Sequence, residues 1–362
     1  MNFMDLRLSK LKNFLKDDTE AILIFSYVNR WYFSGLSSSD GVLLITRKQC
    51  FLLVDFRYLE MAQKAAGTLF SIEEVRKTYE DLAALLKKKS ISRAYVETKG
   101  INLFKFNKLK SYLDKASVFA DTSGELDKVI ENIRIIKSDS EIEKIKGAQK
   151  ITETVFEEIL GDIVPGANER DIAFKIEFLM RSKGAKYAAF DLIALTGSKT
   201  SLPHGVPDYT KIKPGDLFQF DIGAVYEGYC SDMSRVVCVG HASDYQKEIY
   251  EIVLSAQKAA LKAARSGVTA GEVDLAAREF IDSCGYKDCF GHASGHGVGI
   301  EVHEKPSVTK AEKTVLCENM VITVEPGIYI SGQFGIRIED MIVIKNDGFE
   351  NLTKAPKTLL EL

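Results

Sequence analysis

Short apolar runs bounded by polar residues mark the first third of the chain: Ala21-Ile-Leu-Ile-Phe25, Gly41-Val-Leu-Leu-Ile-Thr46 and Phe51-Leu-Leu-Val-Asp55. Runs of that length predict buried strands. Phe56 to Gly67 and Tyr79 to Lys89 space their apolar residues as amphipathic helices do. The alternation predicts an α/β domain without a phosphate-binding glycine loop. Asp121-Thr-Ser-Gly124 then forms a polar break, followed by a helical pattern through Ile133, Ile136, Ile142 and Ile145. Ser138 with Glu141 three residues on is a capping box, so a helix restarts there. The domain boundary is expected near Gly124, giving domains 1–124 and 125–362.

The second domain carries a weak internal duplication. Gly166 to Gly184 spans a helical pattern (Ile172, Ile176, Leu179, Met180), and Gly267 to Gly285 repeats its length around Val273, Leu275, Phe280 and Ile281. Each predicted helix precedes a predicted hairpin that brings two acidic residues. In the first, Phe218 to Val237 reads as two strands joined around Tyr226, Glu227 and Gly228. A turn centred between Tyr226 and Glu227 sets Asp221 opposite Asp232, about 5 Å apart at Cβ. Two carboxylates that close repel unless a cation lies between them. On their own they fit a polar hairpin face in solvent equally well. In the second hairpin, Glu325 closes the apolar run from Val321, and Glu339 lies inside another strand pattern. With His296 they make four carboxylates and one imidazole, a set suited to two divalent cations. A structural zinc site would favour Cys and His, and the sequence has no Cys-x-x-Cys.

Bulk properties narrow the picture little. The length, 362 residues, favours two domains. A net charge of −3 gives no reason to expect nucleic acid or an anionic membrane as partner. No apolar run is long enough to span a bilayer, and the first residues lack a signal-peptide pattern, so a cytoplasmic location is expected. The six cysteines are scattered, without a disulfide framework, and Cys284 and Cys289 are expected as free thiols in or near a core. His241, outside every motif, is expected on the surface.

Together with Pro203-His204-Gly205, the segments around Asp221, Asp232, His296, Glu325 and Glu339 resemble the pita-bread metallopeptidases: methionine aminopeptidase, aminopeptidase P and prolidase. The resemblance covers essentially the whole chain. It implies an α+β pita-bread catalytic domain preceded by a smaller α/β creatinase-like domain. It assigns those five residues to two divalent metal ions, manganese foremost, with cobalt or zinc as alternatives. It makes His204, His292 and His303 active-site histidines that are not ligands, and it gives Glu325 a second role as proton carrier to the departing amine. It also matches Tyr329 to an active-site tyrosine. Arg337, two residues before Glu339 and so on the same face of the predicted strand, is expected to orient the metal carboxylates. No ligand position departs from the pattern, which separates the chain from creatinase-like relatives and from non-catalytic peptide-binding modules of this fold.

Three stretches resemble Xaa-Pro peptidases in particular: Asn29-Arg-Trp31-Tyr-Phe-Ser-Gly35, Asp55-Phe-Arg57-Tyr58 and the linker Ile136-Lys-Ser138-Asp-Ser-Glu141-Ile142. Asp55 and Arg57 themselves read as a strand-end ion pair. The loop Thr196 to Gly205 resembles the one that receives proline. The expected substrate is therefore a proline-containing peptide, and the expected assembly a homodimer. No residue marks a carboxylate clamp that would demand a dipeptide, so release of the first residue, as by aminopeptidase P, is the expectation. Dipeptide hydrolysis, as by prolidase, is the alternative.

Overall fold

The computed structural model describes residues 3–362 and divides into two compact units, Met1–Arg134 and Ile135–Leu362. The first is built on a mixed six-stranded sheet. Its order is Ser71–Glu74, Cys50–Val54, Val42–Thr46, Glu20–Ile24, Arg93–Val96, Phe119–Asp121. The three apolar runs read from the sequence are the strands lying second to fourth in that order, and every residue in them is buried. Burial on both faces explains why they are continuously apolar rather than alternating. The Asn29–Gly35 motif falls on a helix, Tyr27–Ser34, capped by Ser26 at its start and by Gly35 at its end. Asp55 and Arg57 form a solvent-exposed ion pair of 2.6 Å where a strand ends.

Gly124 marks the start of a helix, Glu125–Ile135, and the units divide at its far end. The chain breaks at Lys137 and restarts as Asp139–Ile159, where Ser138 and Glu141 cap each other reciprocally. The Ser138 hydroxyl and the Glu141 carboxylate thus satisfy amide donors that a helix start leaves unpaired.

The second unit is built twice over. Helices Asp139–Ile159 and Glu169–Ser182 back the antiparallel strands Ile193–Thr196, Leu217–Ile222 and Met233–Cys238. Helices Asp244–Ala263 and Ala270–Ser283 pack on Gly295–Gly297, Val321–Val324 and Asp340–Lys345 in the same antiparallel order. Even the entry to the second helix of each pair repeats: Gly166 donates to Ile212 O and Gly267 to Leu316 O, each at 2.9 Å. In both halves the chain leaves the middle strand's sheet for a hairpin tip and returns as the third strand; the first tip is joined by Tyr187–Ala188 into three strands, and the second has two. The acidic residues sit at equivalent places. Asp221 and Glu325 lie at the end of the middle strand, and Asp232 and Glu339 immediately precede the third.

The register of the first hairpin differs from the expected one. Glu227 and Gly228, both at positive φ, form the turn, so Tyr226 pairs with Tyr229 and Asp221 with Ser234. Asp221 and Asp232 are thus diagonal rather than directly opposed. A shift of two residues preserves which face each side chain occupies, so both carboxylates still share one face. The second hairpin departs from expectation as well. Its ladder breaks at Ile338 and Glu339, so Arg337 ends one strand and Glu339 precedes the next. Cys284 is exposed and Cys289 half-buried, and both are free thiols.

Gly223 lies where the first hairpin changes sheets, across from Asp232. A methyl group there would lie 2.2 Å from the Ser231 carbonyl oxygen and 2.6 Å from the Phe190 ring. Backbone cannot yield as a flexible side chain can, so Gly223→Ala is expected to cost roughly 1–3 kcal/mol and to displace Asp232. Chemical denaturation checks this; wild-type stability in the variant would show that the hairpin tolerates a wider crossing.

Candidate metal centre

The two halves bring their acidic residues to one place. One donor atom each from Asp232, His296 and Glu339 lie within 4.8 Å of one another. His296 Nε2 is 3.5 Å from Asp232 Oδ2 and 3.3 Å from Glu325 Oε1. Asp221 completes the group through Arg337, whose Nη2 is 2.6 Å from Asp221 Oδ2 and whose Nε is 4.0 Å from Glu325 Oε2. The strand Ile193–Thr196, which occupies the place of the His296 strand in the first half, holds no titratable residue. The imidazole is therefore what breaks the twofold repeat.

His296 is fixed from two sides. Its backbone N–H donates to Thr323 Oγ1, and Thr323 Oγ1 donates to Glu325 Oε1, both at 3.0 Å. Its Nδ1 lies 3.1 Å from Gly297 O, a carbonyl that only accepts, so the proton sits on Nδ1 and Nε2 faces the carboxylates. Glycines flank it because backbone runs close by: a methyl on Gly295 would meet Thr323 O at 2.1 Å.

The electrostatics are those of a site built for positive charge. Burial, with Glu339, Asp221 and Glu325 nearby, pushes the Asp232 carboxyl well above the usual range. Burial, then Glu325 and Asp221, does the same to Glu339. Glu325 goes the other way: burial opposes ionisation, but His296 and Arg337 outweigh it and bring the pKa to about 2. Burial also opposes a charge on His296, and the hydrogen bond and charge of Glu325 overcome it, so its pKa rises. Asp221 Oδ1 and Glu339 Oε1 are buried without a hydrogen-bond partner. Carboxylate oxygens in that condition are costly unless a cation meets them. Four carboxylates and an Nε2 with no thiolate form a donor set that fits hard or borderline divalent cations.

His204, His292 and His303 lie around this cluster, while His241 is exposed on the surface beside Glu361. His292 Nε2 is 2.9 Å from the Tyr329 hydroxyl, and its Nδ1 is 2.7 Å from Ala293 O. Arg337 Nη1 donates to that hydroxyl at 2.8 Å. Because arginine only donates, the tyrosine proton points at His292 Nε2, and His292 is neutral with its proton on Nδ1. Burial lowers its pKa, in keeping with that state. Burial likewise pushes the Tyr329 hydroxyl up to about 12. His303 stacks edge-on to His296 with ring centroids 4.4 Å apart. His204 is exposed on the loop after the helical turn Gly197–Ser201. A cleft of about 320 Å³ lies beside the cluster, lined by Ser198, Lys199, Ser201, Leu202, Tyr329, Ser331 and Gly332.

Several supporting residues were not singled out from the sequence. Arg235 and Asp340 form a fully buried pair at 2.9 Å, and Arg235 also donates to the Glu339 and Ser234 carbonyls. Gln257, Lys357 and Asn351 satisfy the other Asp340 oxygen. Asp274 accepts from Ser294 N and Oγ, while Arg278 donates to His292 O at 2.9 Å. Charges inside otherwise apolar strands, as at Arg235 and Asp340, were the available signal. Asp274 and Arg278 gave none, since an i,i+4 pair on a helix is ordinary on a surface.

Residues 143–346 match the metallopeptidase family M24, and residues 7–136 match the creatinase/prolidase N-terminal domain. The Xaa-Pro dipeptidase of Pyrococcus horikoshii is 39% identical over 99% of this chain and 100% of its own. Among solved structures, the Xaa-Pro dipeptidase from Bacillus anthracis superposes with a TM-score of 0.93 at 38% identity, covering 99% of each chain. The X-Pro aminopeptidase from Thermotoga maritima MSB8 gives 0.89 at 37% identity, covering 98% of this chain and 100% of its own. With both parts of the chain matched, the second unit has the pita-bread catalytic fold, and the protein is a metallopeptidase belonging to family M24.

Proposed function

We propose that this chain is an Xaa-Pro dipeptidase whose Asp221, Asp232, His296, Glu325 and Glu339 hold two divalent cations, manganese foremost. The observation that carries the ligand assignment is the pair of buried, unpartnered oxygens, Asp221 Oδ1 and Glu339 Oε1, within a cluster of like charges. The dipeptidase names among the relatives support hydrolysis of a dipeptide over release of one residue from a longer peptide. The aminopeptidase expectation rested on the lack of a recognisable carboxylate clamp, and the same site serves either reaction.

Divalent cations, when bound, activate water and stabilise negative charge on a carbonyl oxygen. The protein side of the reaction falls to named residues. Xaa-Pro bonds resist general peptidases because the imide nitrogen has no hydrogen and the ring fixes the backbone. Glu325, held ionised beside His296 and Arg337, takes a proton and delivers it to the departing proline nitrogen. His204 and His303 donate hydrogen bonds to the substrate carbonyl as charge develops there. Arg337 fixes Asp221, and through Tyr329 it fixes His292.

Two expectations follow from these roles. In chelated protein, Asp232→Asn and Glu339→Gln are expected to unfold no earlier than the wild type, because each replaces a carboxyl whose charged form burial and its neighbours already disfavour. Both lose cation binding and turnover. Thermal denaturation with and without manganese, combined with elemental analysis, checks the pair; a variant that keeps its metal would remove that residue from the ligand set. For the substrate, an Xaa-Pro dipeptide and an Xaa-Pro-Xaa tripeptide are assayed side by side with manganese. Cleavage of the dipeptide alone is expected, and release of the first residue from the tripeptide at a similar rate would restore the aminopeptidase reading.

A further inference from the structure

His204 is exposed in the middle of a long loop. Arg337 Nη1 reaches that loop at Pro203 O, 3.4 Å away, and a buried side chain holds its two stems. Glu169, the first residue of the helix Glu169–Ser182, is wholly buried. Its Oε1 accepts from Thr196 N at 2.8 Å, at the start of the loop. Its Oε2 accepts from Asp208 N at 3.1 Å, at the loop's end, and from Lys199 Nζ. Lys199 in turn donates to Val206 O at 3.2 Å and pairs with Asp208 Oδ1 at 2.9 Å.

A buried carboxylate at a helix start ordinarily caps its own helix. Here that task falls to Asn168, whose side chain accepts from Asp171 N. Every donor that reaches Glu169 comes from the loop bearing Pro203, His204 and Gly205. Burying a carboxylate is costly unless it is paired and hydrogen-bonded, and these three donors meet that cost only while the loop is closed. Lys199 is the one that spans the loop, touching the carboxylate, Val206 and Asp208 at once. It also borders the cleft beside Tyr329. Thr200 adds a tie to the strand that carries Arg337, its Oγ1 accepting from Gly335 N at 2.9 Å.

We propose that Glu169, Lys199 and Asp208 form a latch that closes the 196–208 loop and so positions His204. Lys199 is a positioning residue: it acts on the reaction through His204 and has no part in holding cations. The inference rests on the reading of His204 as a donor to substrate.

The test uses the manganese-loaded full chain and an Xaa-Pro dipeptide. Lys199→Met and Lys199→Arg are made alone and combined with His204→Ala, with kcat, KM and metal content measured for each. Lys199→Met is expected to lower kcat roughly 10–100-fold, as a displaced catalytic group does, with KM and metal content little changed. Lys199→Arg recovers most of the loss, and Lys199→Met costs nothing further once His204 is gone. Losses that multiply in the double variant, a loss of metal, or a wild-type kcat would each overturn the latch. Should Lys199→Met fail to fold, Asp208→Asn, on the exposed side of the cluster, is read by the same criteria. If His204→Ala alone retains wild-type turnover, the catalytic reading of His204 fails. The latch is then judged by the His204 ring signal in carbon–proton NMR, assigned by its absence in that variant. A signal with the same shift and linewidth in Lys199→Met as in the wild type overturns it.

Discussion

Holding carboxylates together against their own repulsion is the constraint on which the catalytic unit depends. Asp232 and Glu339 are almost without solvent, and Asp221 and Glu325 are nearly so. Removing one such charge from water costs several kcal/mol, and a neighbouring like charge adds to that. A single hairpin in a small domain would relax by turning its acids outward. Here each pair is fixed by a sheet backed by its own helices, and the two sheets face their acids toward one another. The cost is met by the hydrophobic cores behind them, where strand and helix residues are almost entirely buried.

Arginines set the geometry within that frame. Arg337 reaches Asp221, Ser234, Tyr329 and the Pro203 carbonyl, so one guanidinium ties the first hairpin, the second and the His204 loop together. Its fork of fixed donors suits this better than a lysine would. Arg235, one residue along from Ser234 and pointing to the opposite face, anchors the Glu339 backbone through its carbonyl. The acids are thus positioned both by their side chains and by the strands that carry them. Their preorganisation leaves Asp221 Oδ1 and Glu339 Oε1 unpaired, which is the strain a cation relieves.

Much of this was legible in the sequence. The apolar runs gave the central strands of the first unit, and matched glycine spacing gave the repeat of the second. Glu325 and Glu339 were found because each ends or interrupts an apolar strand, where a charge needs a reason, and Asp221 and Asp232 because a predicted hairpin sets them on one face. The hairpin register was misread because Tyr226 was counted into the turn, whereas Glu227 and Gly228 adopt positive φ and make the turn alone. The shared face of the two aspartates survived because the error was even. Arg337 and Glu339 read as one strand because nothing local signals the break, which comes from the chain passing between two sheets. The helix Tyr27–Ser34 was hidden in an aromatic stretch that fits strand chemistry as well. Glu169 and Lys199 gave no signal, since their pairing spans residues far apart in the chain and exists only in the folded loop.

The central claim, that the fold assembles the acids and cations then complete the site, is tested most directly by calorimetric titration of manganese into chelated protein. Metal content is verified by elemental analysis, and circular dichroism is recorded before and after. The account predicts a folded metal-free protein, uptake of two ions per chain with little change in secondary structure, and activity that appears only with them. A metal-free protein that is unfolded, or one that is folded and fully active, would contradict it.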